Sequence, residues 1–170
     1  PFLADKYLEK AQNLKWFQSS FAGVDALCKT HLRQDYVLTN VKDTYGKPMA
    51  EYVFAYILGL KRDVWQVKED QKNHLWNQVQ GQRIEGETIT IVGTGSIGQE
   101  IARVAKSFGM KTLGVNSNGR EIQCFDNCYA TENFEEAVRN ANYTVGVLPN
   151  TPGTKNFFNH ERFQQMKQES

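Results

Sequence analysis

Three glycines fall at G-x-G-x-x-G spacing: Gly93, Gly95 and Gly98, in the run T-I-T-I-V-G-T-G-S-I-G from Thr88 to Gly98. Each meets a different physical demand. Gly93 lets the chain turn tightly, Gly95 leaves room for a pyrophosphate beside the backbone, and Gly98 lets a helix lie close against the preceding strand. The helix start at Ser96 and Ile97 then offers unpaired N–H groups and a positive dipole end to phosphate oxygens. The spacing alone also fits a glycine-rich turn that binds nothing. Context favours a phosphate cradle: β-branched Ile89, Ile91 and Val92 precede it, as in a covered strand, and a helical pattern follows.

A second chemical signal lies about 20 residues further on, where dinucleotide-binding folds usually end a strand in an acid that bonds the ribose 2′-hydroxyl. Here that position is Asn116, followed by Ser117, Asn118 and Arg120. Without the carboxylate a 2′-phosphate is not repelled, and an arginine nearby can pair with it. This points to NADPH over NADH; the competing reading is that Arg120 is a surface charge and the site is indifferent. Leu148 and Pro149 end a later buried strand, and the Leu148–Pro152 turn either lines the same crevice or is stiff for reasons of folding alone. The remaining reactive side chains form no sharp constellation. His31, His74 and His160 have no carboxylate at a spacing that makes an acid–base pair, and read as surface or capping residues. Arg62 reads as structural. Cys28, Cys124 and Cys128 are too few, and odd in number, for a disulfide framework. Cys124 and Cys128 lack a partner pair for a metal and read as buried free thiols.

The elements that must carry these residues follow from periodicity. Phe2–Asn13 has helical spacing, with Phe2, Leu3, Tyr7, Leu8 and Ala11 on one face. Leu14–Gln18 and Tyr36–Thr39 read as strands, and a polar turn from Ser19 to Asp25 follows the first. A helix begins near Pro48 and runs to about Asn77. Its polar second half suits either a helix emerging into water or, through Glu69–Asn73 and Trp76, a subunit interface. Gln78–Glu87 reads as a linker. After the glycines come a helix over Ile97–Phe108 with Gly109 as its stop, and a strand over Lys111–Val115. A short strand at Cys128–Ala130, a helix over Asn133–Asn140 and a strand over Tyr143–Leu148 follow. A last helix, Glu161–Met166, is capped by Asn159. The alternation predicts an α/β fold with a doubly wound parallel sheet, Rossmann-type, preceded by part of a second, smaller flavodoxin-like α/β domain. The domains expected are residues 1–46 of the partial substrate domain, a crossover helix and linker at 47–80, and a dinucleotide-binding domain at 81–170.

Composition is that of an ordinary globular protein, 40% hydrophobic and 23% charged. A net charge of +1 gives no footprint for nucleic acid or an anionic membrane, and no apolar run approaches a membrane span. A cytoplasmic location is expected from the cysteine usage. The chain starts at Pro1, in what reads as the middle of a helix, and is expected to be a piece of something longer.

Several stretches agree with one family. W-F-Q-S-S-F-A-G-V-D-A-L (Trp16–Leu27), L-T-N-V-K (Leu38–Lys42), M-A-E-Y-V-F (Met49–Phe54), G-T-G-S-I-G-Q-E-I-A (Gly93–Ala102), S-F-G-M-K (Ser107–Lys111), V-L-P-N-T-P-G-T (Val147–Thr154) and E-R-F-Q-Q-M-K (Glu161–Lys167) carry the likeness. The chain resembles the D-isomer-specific 2-hydroxyacid dehydrogenases, in the glyoxylate/hydroxypyruvate reductase and phosphoglycerate dehydrogenase-like branch, truncated at both ends. The resemblance implies two α/β domains with a small 2-keto acid substrate in the cleft between them. It implies that the turn at Phe21, Ala22 and Gly23 gives backbone N–H groups to the substrate carboxylate. The cofactor set is then Gly93, Gly95, Ser96, Ile97, Gly98, Asn116, Ser117, Arg120, Leu148, Pro149 and Thr154, with NADP preferred over NAD. It further implies hydride transfer between the nicotinamide and C2 of the acid, and a homodimer with the crossover helix at its interface. The family's arginine, glutamate and histidine fall beyond Ser170, so no catalytic residue is carried over and the 170 residues are expected to be inactive alone. A different class remains open: a non-catalytic, corepressor-like dinucleotide sensor on the same fold.

Overall fold

The computed structural model describes residues 4–8 and 10–168. They form two compact units, one from the residues up to Thr44 together with Pro149–Phe157, the other from Tyr45–Leu148 with the residues from Phe158 on. Phe2, Leu3 and Glu9 of the first expected helix lie outside the described residues.

The smaller unit has α1 (Ala4–Leu8), β1 (Trp16–Gln18) and β2 (Val37–Thr39). The two strands pair in parallel, with Phe17 opposite Leu38. Its core is Leu8, Leu27 and Leu32, against which Leu14, Phe17, Tyr36 and Leu38 pack. Pro149–Phe157 joins this unit with Asn150 Nδ2 donating to Asp25 Oδ2 at 3.2 Å.

The larger unit opens with α2 (Gly46–Lys61) and α3 (Val64–Lys72). The single helix expected from Pro48 to about Asn77 is therefore broken. Asp63, at φ +50°, is left-handed, a conformation that aspartate tolerates better than most residues. The break turns Trp65 back onto Gly59, where a Cβ would lie 2.4 Å from the indole. The apolar steps continue across the break, so periodicity does not reveal it.

A four-stranded sheet follows, built from β3 (Thr88–Val92), β4 (Lys111–Asn116), β5 (Asn127–Ala130) and β6 (Tyr143–Gly146). All pairings are parallel and the order is β5-β4-β3-β6. The connections go one way from β3 to β4 and β5, then return to β6 on its other side. This places a topological switch point at the carboxyl ends of β3 and β6, where open α/β sheets bind ligands.

α4 (Ser96–Ser107) connects β3 to β4, and α5 (Phe134–Val138) connects β5 to β6. Ile89 and Ile91 of β3 share one buried cluster with Ile101, Ala102 and Ala105 of α4 and with Ala50, Phe54 and Ile57 of α2. Phe54 stacks on Phe108 at 5.2 Å, which fixes α2 against the end of α4. On α5, Phe134, Ala137 and Val138 are buried, and Thr90 Oγ1 donates to Ala137 O. α6 (His160–Gln164) is capped as expected: Asn159 Oδ1 accepts from the Arg162 N–H at 3.0 Å. Among the described residues, no helix is long and apolar enough to cross a membrane.

Candidate functional site

The glycine turn lies at the switch point. β3 stops at Val92, and the Gly93 N–H donates to Val115 O at 2.9 Å, which hangs the turn on β4. Gly93 sits at φ +108°, and a Cβ there would lie 2.7 Å from Val147 O. A Cβ on Gly98 would come within 2.1 Å of Gly93 O. These two positions are closed by the protein's own backbone. Gly95 differs: nothing lies within 4 Å of a Cβ built there, and the residue is exposed. The open space is the kind a phosphate would fill.

Gly95 is also the N-cap of α4 and offers no side chain to the helix end. The first bond inside the helix runs from the Gln99 N–H to Gly95 O at 2.9 Å. The N–H groups of Ser96, Ile97 and Gly98 come before it and have no carbonyl within the helix. With the helix dipole behind them, they can receive an anion. The backbone thus fits a pyrophosphate. Gln99 Nε2 braces the turn by donating to Thr94 O at 3.0 Å. Thr94 is buried, a supporting role the motif spacing does not disclose.

The turn after β4 is made differently. Asn116 Nδ2 donates to Arg120 O at 2.8 Å, and Asn116 Oδ1 accepts from the Arg120 N–H at 3.0 Å and the Asn118 N–H at 3.3 Å. Ser117 and Arg120 are exposed. Sequence reasoning identifies Asn116 by what it lacks, a charge; the structure shows a carboxamide that closes the loop.

Leu148, the last residue of the larger unit before the chain leaves it, is half-buried; its amide nitrogen lies 3.4 Å from a Cβ built on Gly93. Gly93, Gly95, Ser96, Ile97, Gly98 and Leu148 are therefore neighbours at the switch point. Pro149 and Thr154 belong to the smaller unit. There Thr154 Oγ1 donates to Pro149 O and accepts from the Thr151 N–H at 3.0 Å, holding the segment as a closed loop.

In the smaller unit the turn at Phe21, Ala22 and Gly23 is exposed. Two side chains not singled out by the sequence hold it. Ser19 is buried, its Oγ bonding both the N–H and the carbonyl of Phe21 at 3.1 Å. Asn40 Nδ2 donates to Ala22 O at 2.6 Å. These two contacts hold the conformation of an exposed turn.

The other reactive side chains stay apart. His74 is left-handed at the end of α3, His160 is exposed at the start of α6 and His31 is exposed. Among the described residues no three His, Cys, Asp or Glu side chains gather as a metal site. Cys124 and Cys128 are half-buried rather than fully buried, and burial pushes both thiols up from the ordinary range. The Tyr143 phenol is pushed up further, by burial and then by Glu87, whose Oε2 accepts from it at 2.9 Å.

Known proteins match this chain along most of its length. The family model described as D-isomer specific 2-hydroxyacid dehydrogenase, NAD binding domain, matches residues 54–170. A solved D-isomer specific 2-hydroxyacid dehydrogenase family protein from Aeromonas salmonicida is 44% identical, with a TM-score of 0.91 over 96% of this chain and 53% of that one. The NADPH-dependent glyoxylate/hydroxypyruvate reductase of Sinorhizobium meliloti, solved with NADP and sulfate, is 29% identical, with a TM-score of 0.79 over 91% of this chain and 49% of that one. The glyoxylate reductase of Pyrococcus furiosus is 31% identical over 94% of this chain and 50% of its own length. The chain spans about half the length of these relatives.

Proposed function

The chain belongs to the D-isomer-specific 2-hydroxyacid dehydrogenase family, and on that premise we propose that its parent protein is an NADPH-preferring reductase of a small 2-keto acid such as glyoxylate or hydroxypyruvate. The observation that carries this reading is the open space at Gly95 ahead of α4, combined with Asn116 where an acid would select NADH.

When bound, the dinucleotide supplies the hydride. This chain's own residues bind and orient. The Ser96, Ile97 and Gly98 N–H groups hold the pyrophosphate, and the cradle excludes any side chain at Gly93 and Gly98. Ser117 and the Arg120 guanidinium hold the 2′-phosphate. Leu148, beside Gly93, completes the cofactor side within the larger unit. The Phe21–Gly23 turn holds the substrate carboxylate through backbone N–H groups. The proton donor comes from the remainder of the parent protein. The parent is proposed to be a cytoplasmic homodimer. Tyr52, Tyr56, Leu60 and Trp65 on α2 and α3 are about half exposed, a surface suited to a second copy.

The test is turnover by the full-length parent with glyoxylate and hydroxypyruvate, following NADPH and NADH absorbance. Oxidation of NADPH faster than NADH with either acid is expected. Cofactor binding without turnover of either would replace the reductase with a dinucleotide sensor.

A further inference from the structure

In the Asn116–Arg120 turn the carboxamide reads both main-chain polar groups of a single residue, the N–H and the C=O of Arg120. That needs a donor and an acceptor on one planar group, which among short side chains asparagine alone provides. An aspartate here would keep the acceptor but set a second oxygen against the Arg120 carbonyl. The turn is also pinned from β5. Gly119 is at φ +71°, and a Cβ there would lie 3.1 Å from Ala130 N, the residue paired with Asn116 in the β4–β5 register. Between these two restraints the Arg120 guanidinium is exposed, with no ion pair among the described residues.

We propose that Asn116 is a positioning residue for cofactor choice. By clamping the main chain of Arg120 it preforms the turn around a phosphomonoester on the ribose 2′-oxygen. Selectivity for the phosphorylated cofactor then depends on the carboxamide's hydrogen bonds and not only on the absence of a carboxylate. A preformed loop binds more tightly because less ordering is needed on binding. The inference rests on the proposed NADPH preference, with this turn at the ribose end of the site.

The test is equilibrium binding of NADP+ and NAD+ to the full-length parent, as wild type, Asn116→Ala, Asn116→Asp, Arg120→Ala and the Asn116→Ala/Arg120→Ala pair. Arg120→Ala is expected to weaken NADP+ about tenfold or more and leave NAD+ within about twofold. Asn116→Ala is expected to weaken NADP+ about tenfold and NAD+ much less, with an unchanged thermal melt as the control for a folded site. Asn116→Asp should reverse the preference. The double variant should bind NADP+ no more weakly than Arg120→Ala alone, because the clamp then has nothing left to position. Additive losses in the double variant, or equal losses of NADP+ and NAD+ in Asn116→Ala, would overturn the inference while leaving the NADPH reading in place. An Arg120→Ala protein with unchanged NADP+ affinity would remove both. Should Asn116→Ala not fold, Asn116→Ser, which cannot reach both groups of Arg120, carries the same expectations.

Discussion

In the turn after β3 the chain closes at two glycines that carry no side chain. A Cβ on Gly98 would press within 2.1 Å of Gly93 O, and one on Gly93 within 2.7 Å of Val147 O. In the turn after β4 it closes by having the right side chain: the Asn116 carboxamide holds the N–H and C=O of Arg120 at 3.0 and 2.8 Å. Both turns end neighbouring strands of one sheet. The first is a steric device, which on the proposed function would serve any dinucleotide equally. The second is a hydrogen-bonded device, which on that reading would discriminate. Substitutions should therefore fail in different ways in the two turns.

The largest effect is expected at Gly98. Gly98→Ala drives a methyl into backbone that cannot move without parting α4 from β3. It should destabilise the parent by roughly 3 kcal/mol or more, seen as a large fall in Tm or loss of soluble protein. A Gly98→Ala protein as stable as wild type would mean the turn is not closed as described. Gly95→Ala sharpens the contrast, since a Cβ there meets nothing within 4 Å. Stability should change by less than ~1 kcal/mol, the scale of a lost glycine N-cap. Yet NADP+ and NAD+ should both weaken, about tenfold and equally, because the methyl occupies pyrophosphate space. Unequal losses would show that the first turn discriminates after all. In the second turn, the Arg120→Ala penalty on NADP+ should shrink as salt is raised, as screening of an exposed charge pair demands. A salt-independent penalty would assign Arg120 a role in packing instead.

The same contrast explains what was legible in the sequence. Steric devices leave a spacing, and Gly93, Gly95 and Gly98 announce the first turn, its strand and its helix together. The parallel sheet follows from the alternation of buried β-branched runs with helical periods. The second turn was legible only as a missing acid, because one-dimensional reading sees charge but not which main-chain atoms a carboxamide will reach. Ser19 and Asn40 carry no sequence signal as braces of the Phe21–Gly23 turn for the same reason: their partners are backbone atoms. The break at Asp63 was illegible because apolar steps continue through Val64 and Val67, and a left-handed aspartate leaves no pattern.

The smallest effect tests whether the second turn is electrostatic throughout. The segment running on from that turn is anchored at its far end by Asp126. Asp126 Oδ2 accepts from the Thr112 N–H at 2.8 Å and from Thr112 Oγ1 at 3.1 Å, and Oδ1 pairs with Lys106 at 2.9 Å. Burial alone would push this carboxyl up. The hydrogen bonds from Thr112 and the pairing with Lys106 outweigh it and hold the carboxyl below the usual range. A depressed carboxyl stabilises the fold above its unfolded pKa, about 3.9, and that contribution fades as pH falls through the folded value. Asp126→Asn should therefore lower stability at pH 7 by about 1 kcal/mol or less, solvent screening limiting a half-exposed pair. The gap between variant and wild type should narrow below about pH 4. Thermal melts of both proteins from pH 7 down to about pH 3 check this, whereas Gly95→Ala should show an offset that pH does not change. A constant gap for Asp126→Asn would mean that geometry rather than charge anchors the segment, and the two turns would then differ less than their hydrogen bonds imply.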